Sequence, residues 1–297
     1  MSKYFGEITR LRTMGTQPLV ELAKFPTLIE KPGTADVAAS SAVAPAKAKA
    51  AEVPRKSRLE WCDKIHAVDS ALLHNRFPKS DSLRAAAESY RALRARLLRL
   101  KTSQGLRSVQ LTSATPGEGK TMTALNLAVF CAQLHEMSVL LLDADLRSQG
   151  LTGVLKVPPS PGLAEVLSGQ TEPENAILAT DVTNLYILPS GQSNVAPPEL
   201  FADCRWQEFM AWCNERFELI IVDSPPMLGL SESELISASC DGILMVVRAQ
   251  RVERDLLKKV ALQLDAKKLL GLVYNADEHS KKSSYYYGPP EAALKLG

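Results

Sequence analysis

The sequence lacks the features that would place a protein in a membrane, in an oxidising compartment or on nucleic acid. No apolar run approaches the roughly 18–20 residues of a membrane span, and the N-terminus has no apolar signal-peptide core. The five cysteines are scattered without C-x-x-C spacing, so neither a metal site nor a disulfide framework is indicated. A net charge of +2 is too small to indicate a nucleic-acid partner. We therefore expect a cytoplasmic protein with reduced thiols and no nucleic-acid partner.

Composition divides the chain into three parts. Of its 297 residues, 45% are apolar, which is enough for an ordinary globular core. Residues 36–57 are rich in Ala, Ser, Pro and Lys and have no apolar side chain larger than Val, which indicates a flexible linker. We predict an N-terminal extension and linker over residues 1–60, a folded domain over 61–275 and a polar tail over 276–297. Short helices are expected in the extension near Glu7–Arg12 and Leu19–Phe25.

A phosphate-binding loop stands at the centre of the folded part. A β-prone run, 108–113, is followed by a glycine-rich turn, then Lys120-Thr121 and a helical pattern from Met122 to Leu134. This is the Walker A pattern with Ala114 as its first residue. Its glycines let backbone N–H groups converge on phosphate at a helix N-terminus, the lysine supplies charge, and the threonine hydroxyl ligates Mg²⁺. The predicted nucleotide-binding residues here are Thr115, Pro116, Gly117, Glu118, Gly119, Lys120, Thr121 and Met122.

Unbroken apolar runs recur along the chain after this loop, as expected for strands that are buried on both faces. Helical patterns such as Pro198–Phe217 and Arg251–Leu264 separate them. Strands alternating with helices predict an α/β P-loop NTPase fold, with a mostly parallel, doubly wound sheet flanked by helices. The predicted strands are Val139–Asp143, Leu185–Leu188, Leu219–Val222, Gly242–Val247 and Leu269–Tyr274.

Acidic residues follow two of these strands. Asp143 and Asp145 come after the first strand beyond the loop, and Asp223 follows a Walker B pattern. Ligands in such sheets lie beyond the carboxyl ends of the strands. We therefore predict that Thr121, Asp143 and Asp223 hold Mg²⁺, and that Asp145 or Asp143 orients or deprotonates a nucleophile. The alternative for either residue alone is a helix cap. The predicted catalytic set is Lys120, Asp143, Asp145 and Asp223.

Two further features are open to more than one interpretation. A predicted helix over Ser82–Lys101 has an apolar stripe and, on its other side, a face with Glu88, Arg91 and Arg94. By charge alone this is a solvated basic face, with polyanion binding as the alternative. Asn275 ends the last strand, where its amide suits an adenine edge, with an ordinary turn residue as the alternative.

With these elements in order, residues 80–290 resemble the bacterial tyrosine kinases of the capsule and exopolysaccharide type, in their stand-alone form. That family is related to the deviant Walker ATPases of the partition and Min group. The motifs that carry the resemblance are Ser113–Thr121 for Walker A, Leu140–Arg147 for Walker A′, Ile220–Pro226 for Walker B, Gly271–Asn275 near the adenine, and the blocks Pro161–Gly169 and Pro198–Leu200.

The resemblance extends to both ends of the domain. Glu88-x-x-Arg91-x-x-Arg94 resembles the motif that packs the family's protomers into a ring, which replaces the reading as a solvated face. Tyr285, Tyr286 and Tyr287 resemble the family's phospho-acceptors. A buried strand is the alternative for three tyrosines, but the flanking Lys281-Lys282 and Gly288-Pro289-Pro290 make it unattractive.

These matches imply an ATP- and Mg²⁺-dependent tyrosine autokinase that phosphorylates a neighbour's tail and regulates polysaccharide chain length and export. They also imply a separate inner-membrane chain-length protein as activator, which holds the kinase at the membrane, and a counteracting phosphatase. The chain departs from the family in having only three clustered tyrosines and Ser148-Gln149 where relatives often carry a proline nearby.

Two other functional classes of nucleotide-binding protein fit the sequence less well than a kinase. A partition- or Min-type ATPase would act as a nucleotide-switched dimer, but its loop usually carries a signature lysine near its start, where this chain has Ala114-Thr115-Pro116. A non-catalytic regulatory partner would bind nucleotide without turnover, which the intact Lys120 and the three acids disfavour.

Overall fold

The computed structural model of the chain describes residues 8–9, 22–23, 81–249 and 251–275. The predicted linker, the tyrosine cluster and the outer domain boundaries lie outside these ranges. In the N-terminal extension, β1 (Ile8–Thr9) and β2 (Leu22–Ala23) pair antiparallel. The short helices expected there are therefore wrong at these residues, because backbone groups that pair across two segments are not available for a helical turn.

A seven-stranded sheet forms the centre of the molecule, in the order β5-β6-β4-β7-β3-β8-β9. All its neighbouring pairs are parallel except the edge pair β5–β6, which is antiparallel. The central strands β3, β4 and β7 are buried at every position, which explains their unbroken apolar sequence. The predicted fold class is confirmed. The strands are β3 (Ser108–Ser113), β4 (Val139–Asp143), β5 (Leu178–Ala179), β6 (Leu185–Leu188), β7 (Leu219–Asp223), β8 (Gly242–Arg248) and β9 (Leu269–Asn275).

Helices cover both faces of the sheet. The single helix predicted over Pro198–Phe217 is wrong, because the chain leaves the helix at Asp203, where the backbone is extended. The Asp203 carboxylate accepts a hydrogen bond from the Arg205 N–H (2.9 Å) and so caps a new helix. The helices are α1 (Asp81–Gln104), α2 (Lys120–Ala132), α3 (Gly150–Leu155), α4 (Leu163–Leu167), α5 (Pro173–Ala176), α6 (Pro197–Ala202), α7 (Cys204–Arg216), α8 (Ser231–Ser239) and α9 (Arg254–Gln263).

Two hydrophobic cores hold these layers together. Alternate residues of β4 face opposite sides, so Leu141 packs in the core beneath α1 and α2 while Leu140 packs in the core beneath α4, α7 and α8. In the first core Tyr90 of α1 stacks on Phe130 of α2, with ring centroids 5.5 Å apart. In the second, Trp206 is fully buried. No helix in the described ranges is long and apolar enough to cross a bilayer.

The order of the strands gives the phosphate loop two different sides. Asp143 pairs directly with Asp223 across β4 and β7, and β7 lies beside β3, which runs into the loop. On the other side of β3 lie the carboxyl ends of β8 and β9. We call the first the acid side, formed by Asp143, Asp145 and Asp223. The second is the β8–β9 side, formed by Arg248, Arg251 and Asn275.

Candidate active site

The phosphate loop joins β3 to α2 and depends on its glycines. Gly117 has a φ of 79° and Gly119 a φ of 93°, both in the left-handed region that other residues avoid. A Cβ atom on Gly119 would lie 2.0 Å from Asn275 Nδ2, so this position also needs glycine for space. The predicted positive-φ turn is confirmed at both positions, and it directs the chain into the N-terminus of α2.

The buried carboxylate of Glu118 braces this loop from within. Its Oε1 accepts hydrogen bonds from the Thr115 N–H (2.5 Å) and the Thr115 hydroxyl (3.0 Å). Its Oε2 accepts from the Arg248 N–H (3.2 Å), which ties the loop to the end of β8. Sequence reasoning placed Glu118 among the nucleotide-binding residues but missed this role, since its partner on β8 is remote in sequence.

Lys120 lies at the centre of the acid side. Its Nζ donates to Asp145 Oδ2 (2.7 Å) and is 3.9 Å from Asp223 Oδ1. Burial would lower the pKa of Lys120, but Asp223 and Asp145 hold it above its ordinary value. Burial would likewise raise the pKa of Asp145, yet Lys120 and hydrogen bonds from Ser148 lower it. Lys120 and Asp145 therefore form an ionised pair.

The other two acids differ from Asp145. Burial raises the pKa of Asp143 to about 6 and that of Asp223 to about 7. Asp143 Oδ2 accepts from the Thr152 N–H (3.0 Å) and hydroxyl (2.7 Å). Within the described residues, Asp143 Oδ1 and both carboxylate oxygens of Asp223 accept no hydrogen bond of good geometry, although the Thr121 hydroxyl lies close enough to Asp223 to lower its pKa. Buried carboxylate oxygens without donors favour a cation between them.

This donor set fits Mg²⁺. The ion takes oxygen ligands, keeps several waters and is usually held by one or two carboxylates together with substrate phosphates. In the ranges that the structure describes, no three His, Cys, Asp or Glu side chains form a metal cage. Asp143, Asp223 and the hydroxyl of Thr121 are the groups that could hold it.

A cavity of about 310 Å³ is lined in part by Leu146, Arg147 and Gln149, which follow Asp145 in the chain. One wall is Arg147, whose Nε donates to the Glu232 carboxylate on α8, and this contact raises the pKa of Arg147. Another wall is fixed by Gln149, whose Nε2 donates to the Gly191 carbonyl (3.2 Å). Glu232 and Gln149 were not predicted, since neither belongs to a nucleotide-binding motif.

The remaining predicted residues lie in two other places. Asn275 reaches the phosphate loop, where its Nδ2 donates to the Glu118 carbonyl (2.8 Å), a role that neither sequence interpretation included. The predicted ring motif lies on α1, where Glu88 and Arg91 form an exposed ion pair (2.5 Å). Arg94 instead donates to the Phe130 carbonyl of α2 (2.7 Å), so it fastens the two helices together.

Comparisons with known proteins identify relatives of this chain. A family model described as AAA domain matches residues 107–265. The chain is 34% identical over 206 residues to the tyrosine-protein kinase YwqD of Bacillus subtilis (strain 168), which covers 68% of this chain and 86% of that protein. It is 30% identical over 200 residues to the tyrosine-protein kinase CpsD of Streptococcus pneumoniae serotype 4, covering 66% and 87%.

A solved structure shows the same likeness. The kinase domain of Escherichia coli tyrosine kinase ETK superimposes with a TM-score of 0.63 at 29% identity, over 69% of this chain and 81% of that one. The matched residues include the phosphate loop and all three acids. The AAA-domain match and the relatives covered over most of their length show that the chain belongs to the bacterial tyrosine kinases, enzymes that phosphorylate protein tyrosines.

Proposed function

We propose that this kinase transfers the γ-phosphoryl group of ATP to Tyr285, Tyr286 and Tyr287 of a neighbouring copy of the chain. The observation that carries the proposal is the acid side, where Lys120 meets one ionised carboxylate and two others with unpartnered oxygens. The tyrosine-rich tail supplies the acceptors, and the curated relatives are named as tyrosine kinases.

The chain binds the nucleotide through the phosphate loop. Backbone N–H groups at the N-terminus of α2 surround the β-phosphate, and Lys120 leaves Asp145 to contact the β- and γ-phosphates. Mg²⁺, when bound, neutralises charge on the phosphates. Asp143, Asp223 and Thr121 hold the ion. Phosphoryl transfer needs little more than this positioning and charge neutralisation.

Asp145 is the proposed base. A tyrosine hydroxyl, with a pKa near ~10, needs a nearby base to attack at neutral pH. Asp145 is released from its ion pair once Lys120 turns to the phosphates, and it then accepts the hydroxyl proton. The tyrosine oxygen bonds to the γ-phosphorus as the bond to the bridging oxygen breaks, and ADP leaves. Asp143 is the second choice, because its Oδ2 is already bonded to Thr152.

A ring of protomers would bring each tail to the next active site. We propose Glu88, Arg91 and Arg94 as its contacts: the first two are exposed, while Arg94 sets the position of α1 on α2. Each phosphate adds about −1.5 to −2 charges to a tail. Tails that carry several phosphates repel one another, so turnover would loosen the ring. Such a cycle would regulate the chain length and export of a capsule or exopolysaccharide.

The resemblance to the family is also the basis for a proposal about where the protein is located and which proteins act with it. We propose a cytoplasmic kinase held at the inner membrane by a separate chain-length protein, whose cytoplasmic segment activates it, and opposed by a tyrosine phosphatase.

One assay tests the reaction. The purified protein is incubated with MgATP, with and without the cytoplasmic segment of the activator, and phosphotyrosine is mapped by mass spectrometry. We expect modification of Tyr285–Tyr287, lost in Lys120→Met and in the triple Tyr→Phe variant. A tail that stays unmodified under both conditions refutes the autokinase.

A mixing experiment tests the transfer between copies. The Lys120→Met protein, which keeps its tyrosines, is combined with the triple Tyr→Phe protein, which keeps its active site. Only transfer between chains can phosphorylate the tail of the Lys120→Met protein. If the wild-type protein phosphorylates itself but the mixture stays unmodified, transfer occurs within one chain.

A further inference from the structure

Two arginines outside the Walker motifs reach the phosphate loop from the β8–β9 side. Arg248 ends β8, and Arg251 lies in the turn before α9. Arg251 Nη1 donates to the Gly117 carbonyl (3.3 Å), and Arg248 Nη1 points to the same oxygen (3.4 Å). Both side chains are exposed at the rim of the loop. Two guanidinium groups therefore converge on a single backbone carbonyl.

Within the described part of the chain, neither arginine forms an ion pair with an acidic side chain. Arg147, at the acid side, differs because it is paired with Glu232. Two positive charges that share one carbonyl repel each other, and an electron-rich group placed against them offsets part of that repulsion. A ligand with an electron-rich surface would meet this need.

The order of the strands indicates which part of a nucleotide lies there. The carboxylates suited to a metal ion, and hence to the γ-phosphate, are on β4 and β7. The arginines are on the opposite side of β3, beside Asn275 at the end of β9. Because a nucleotide bound along the loop has its terminal phosphate at the acid side, its ribose and base extend towards the β8–β9 side.

We propose that Arg251 is a nucleotide-binding residue, whose guanidinium packs against the purine ring, and that Arg248 is a positioning residue for the loop. Arg248 is bonded to the loop twice, since its backbone N–H donates to Glu118 Oε2 (3.2 Å) and its Nη1 points to the Gly117 carbonyl (3.4 Å). Arg251 covers Gly117, where an added Cβ would lie 3.0 Å from its Nη1. A planar guanidinium stacks on aromatic rings, whereas the ammonium of lysine is a compact, strongly hydrated charge.

The test measures the affinity of ADP and of inorganic tripolyphosphate, both with Mg²⁺, by isothermal titration calorimetry. Arg251→Ala should bind ADP about tenfold more weakly and tripolyphosphate within about twofold of wild type, because only ADP has a ring to stack on. Arg251→Lys should keep the charge but recover little of the ADP affinity. Arg254→Ala, which removes an exposed arginine at the start of α9, is the matched control and should bind both ligands normally.

Arg248→Ala should weaken both ligands alike, since it removes the guanidinium contact with the Gly117 carbonyl of the loop that holds the phosphates; the backbone N–H bond to Glu118 remains. Melting temperatures without ligand show whether each variant is folded. Wild-type affinity for ADP in Arg251→Ala would overturn the proposal, as would equal losses for ADP and tripolyphosphate. The proposal depends on nucleotide binding at the loop and not on the tyrosine acceptor, so it stands or falls separately from the autokinase.

Discussion

The two sides of the phosphate loop satisfy their polar groups in opposite ways. On the β8–β9 side, the Glu118 carboxylate and the Asn275 amide nitrogen are bonded to backbone groups at hydrogen-bond distance. On the acid side, three buried oxygens of Asp143 and Asp223 accept no hydrogen bond from the described residues. The contacts of Glu118 and Asn275 fix the shape of the loop without a ligand. The free carboxylate oxygens on the acid side gain partners only when a ligand binds.

Replacing Lys120 on the acid side should have the largest effect on turnover and stability. Within the described residues, Lys120→Met removes the cation that forms ion pairs with Asp145 and Asp223, and it leaves the Asp145 carboxylate without an ion-pair partner. We expect turnover to fall by about 10²- to 10³-fold, since one donor to transition-state charge is worth about that much. The folded protein should also lose roughly 3–5 kcal/mol, as when a buried ion pair is broken. Phosphotyrosine formation and urea denaturation measure the two effects.

Wild-type stability in Lys120→Met would show that the acids are neutral or solvated without the lysine. A Lys120→Arg variant is the control, because it keeps the charge in a different shape. It should recover most of the stability but little of the activity.

Replacing Asp223 gives the second test, in which the stability of the nucleotide-free protein rises while the stabilisation by Mg²⁺ is lost. Its pKa of about 7 in the folded protein lies above the ordinary carboxyl value of ~3.9. A raised folded pKa means that the folded state binds more protons, so ionisation of this group lowers stability as the pH rises from about 4 through 7. Asp223→Asn removes that loss. We expect the nucleotide-free variant to melt at a higher temperature than wild type at pH 8.

The same variant should no longer be stabilised by MgADP beyond the effect of ADP alone, because the metal loses a carboxylate ligand. Melting curves from pH 5.5 to 8.5, without ligand and with each ligand, measure both effects. Equal pH dependence in wild type and Asp223→Asn would contradict the buried, unpartnered carboxylate.

The sequence could predict the acids but not their different states. Walker A, A′ and B located Lys120, Asp143, Asp145 and Asp223, because strand ends in a parallel sheet meet at one edge. Which oxygens are free depends on donors such as Thr152, which comes from α3, a six-residue helix too short to show a periodic pattern. The brace formed by Glu118 was hidden for a similar reason, since its partner is a backbone N–H 130 positions away.

The fold was predicted where burial alone decides it. Buried strands have unbroken apolar sequences, and the limits of the strands predicted from these runs agree with the structure to within about a residue. The break at Asp203 was missed because Phe201 and Trp206, on either side of it, pack in the same core and continue the apolar pattern. The Asp203 side chain caps a new helix at a point where the spacing of apolar residues alone predicts one continuous helix.

Glu118 gives a test of the β8–β9 side. Glu118→Gln places an amide NH₂ against the N–H of Thr115 or Arg248, so two donors face each other and the loop loses its brace. We expect the KM for ATP to rise about tenfold and kcat to change less than threefold. Glu165→Gln is the matched control: Glu165 braces the turn at Gly162 in the same way but does not touch the phosphate loop. A kcat loss larger than the KM change would show that the brace acts in the chemical step.

Thr152 gives the smallest expected effect and the finest test of the acid side. Its hydroxyl donates to Asp143 Oδ2 (2.7 Å), which turns the unpartnered Oδ1 of the same carboxylate towards a ligand. Thr152→Val keeps the shape of the side chain and the backbone N–H donor to Asp143. It removes the hydroxyl, and with it the bond to Asp143 and two contacts with Ser190, whose N–H donates to this hydroxyl (3.2 Å) and whose own hydroxyl lies 3.2 Å from it. The carboxylate can then rotate, so kcat should fall about three- to tenfold, and more Mg²⁺ should be needed for half-maximal activity.

Ser190→Ala is the control, since Ser190 contacts the Thr152 hydroxyl (3.2 Å) but makes no hydrogen bond to Asp143. If both variants show the same small loss of kcat, the threonine contributes packing alone. If only Thr152→Val raises the Mg²⁺ concentration needed for half-maximal activity, the Thr152 hydroxyl orients the Asp143 carboxylate for the metal.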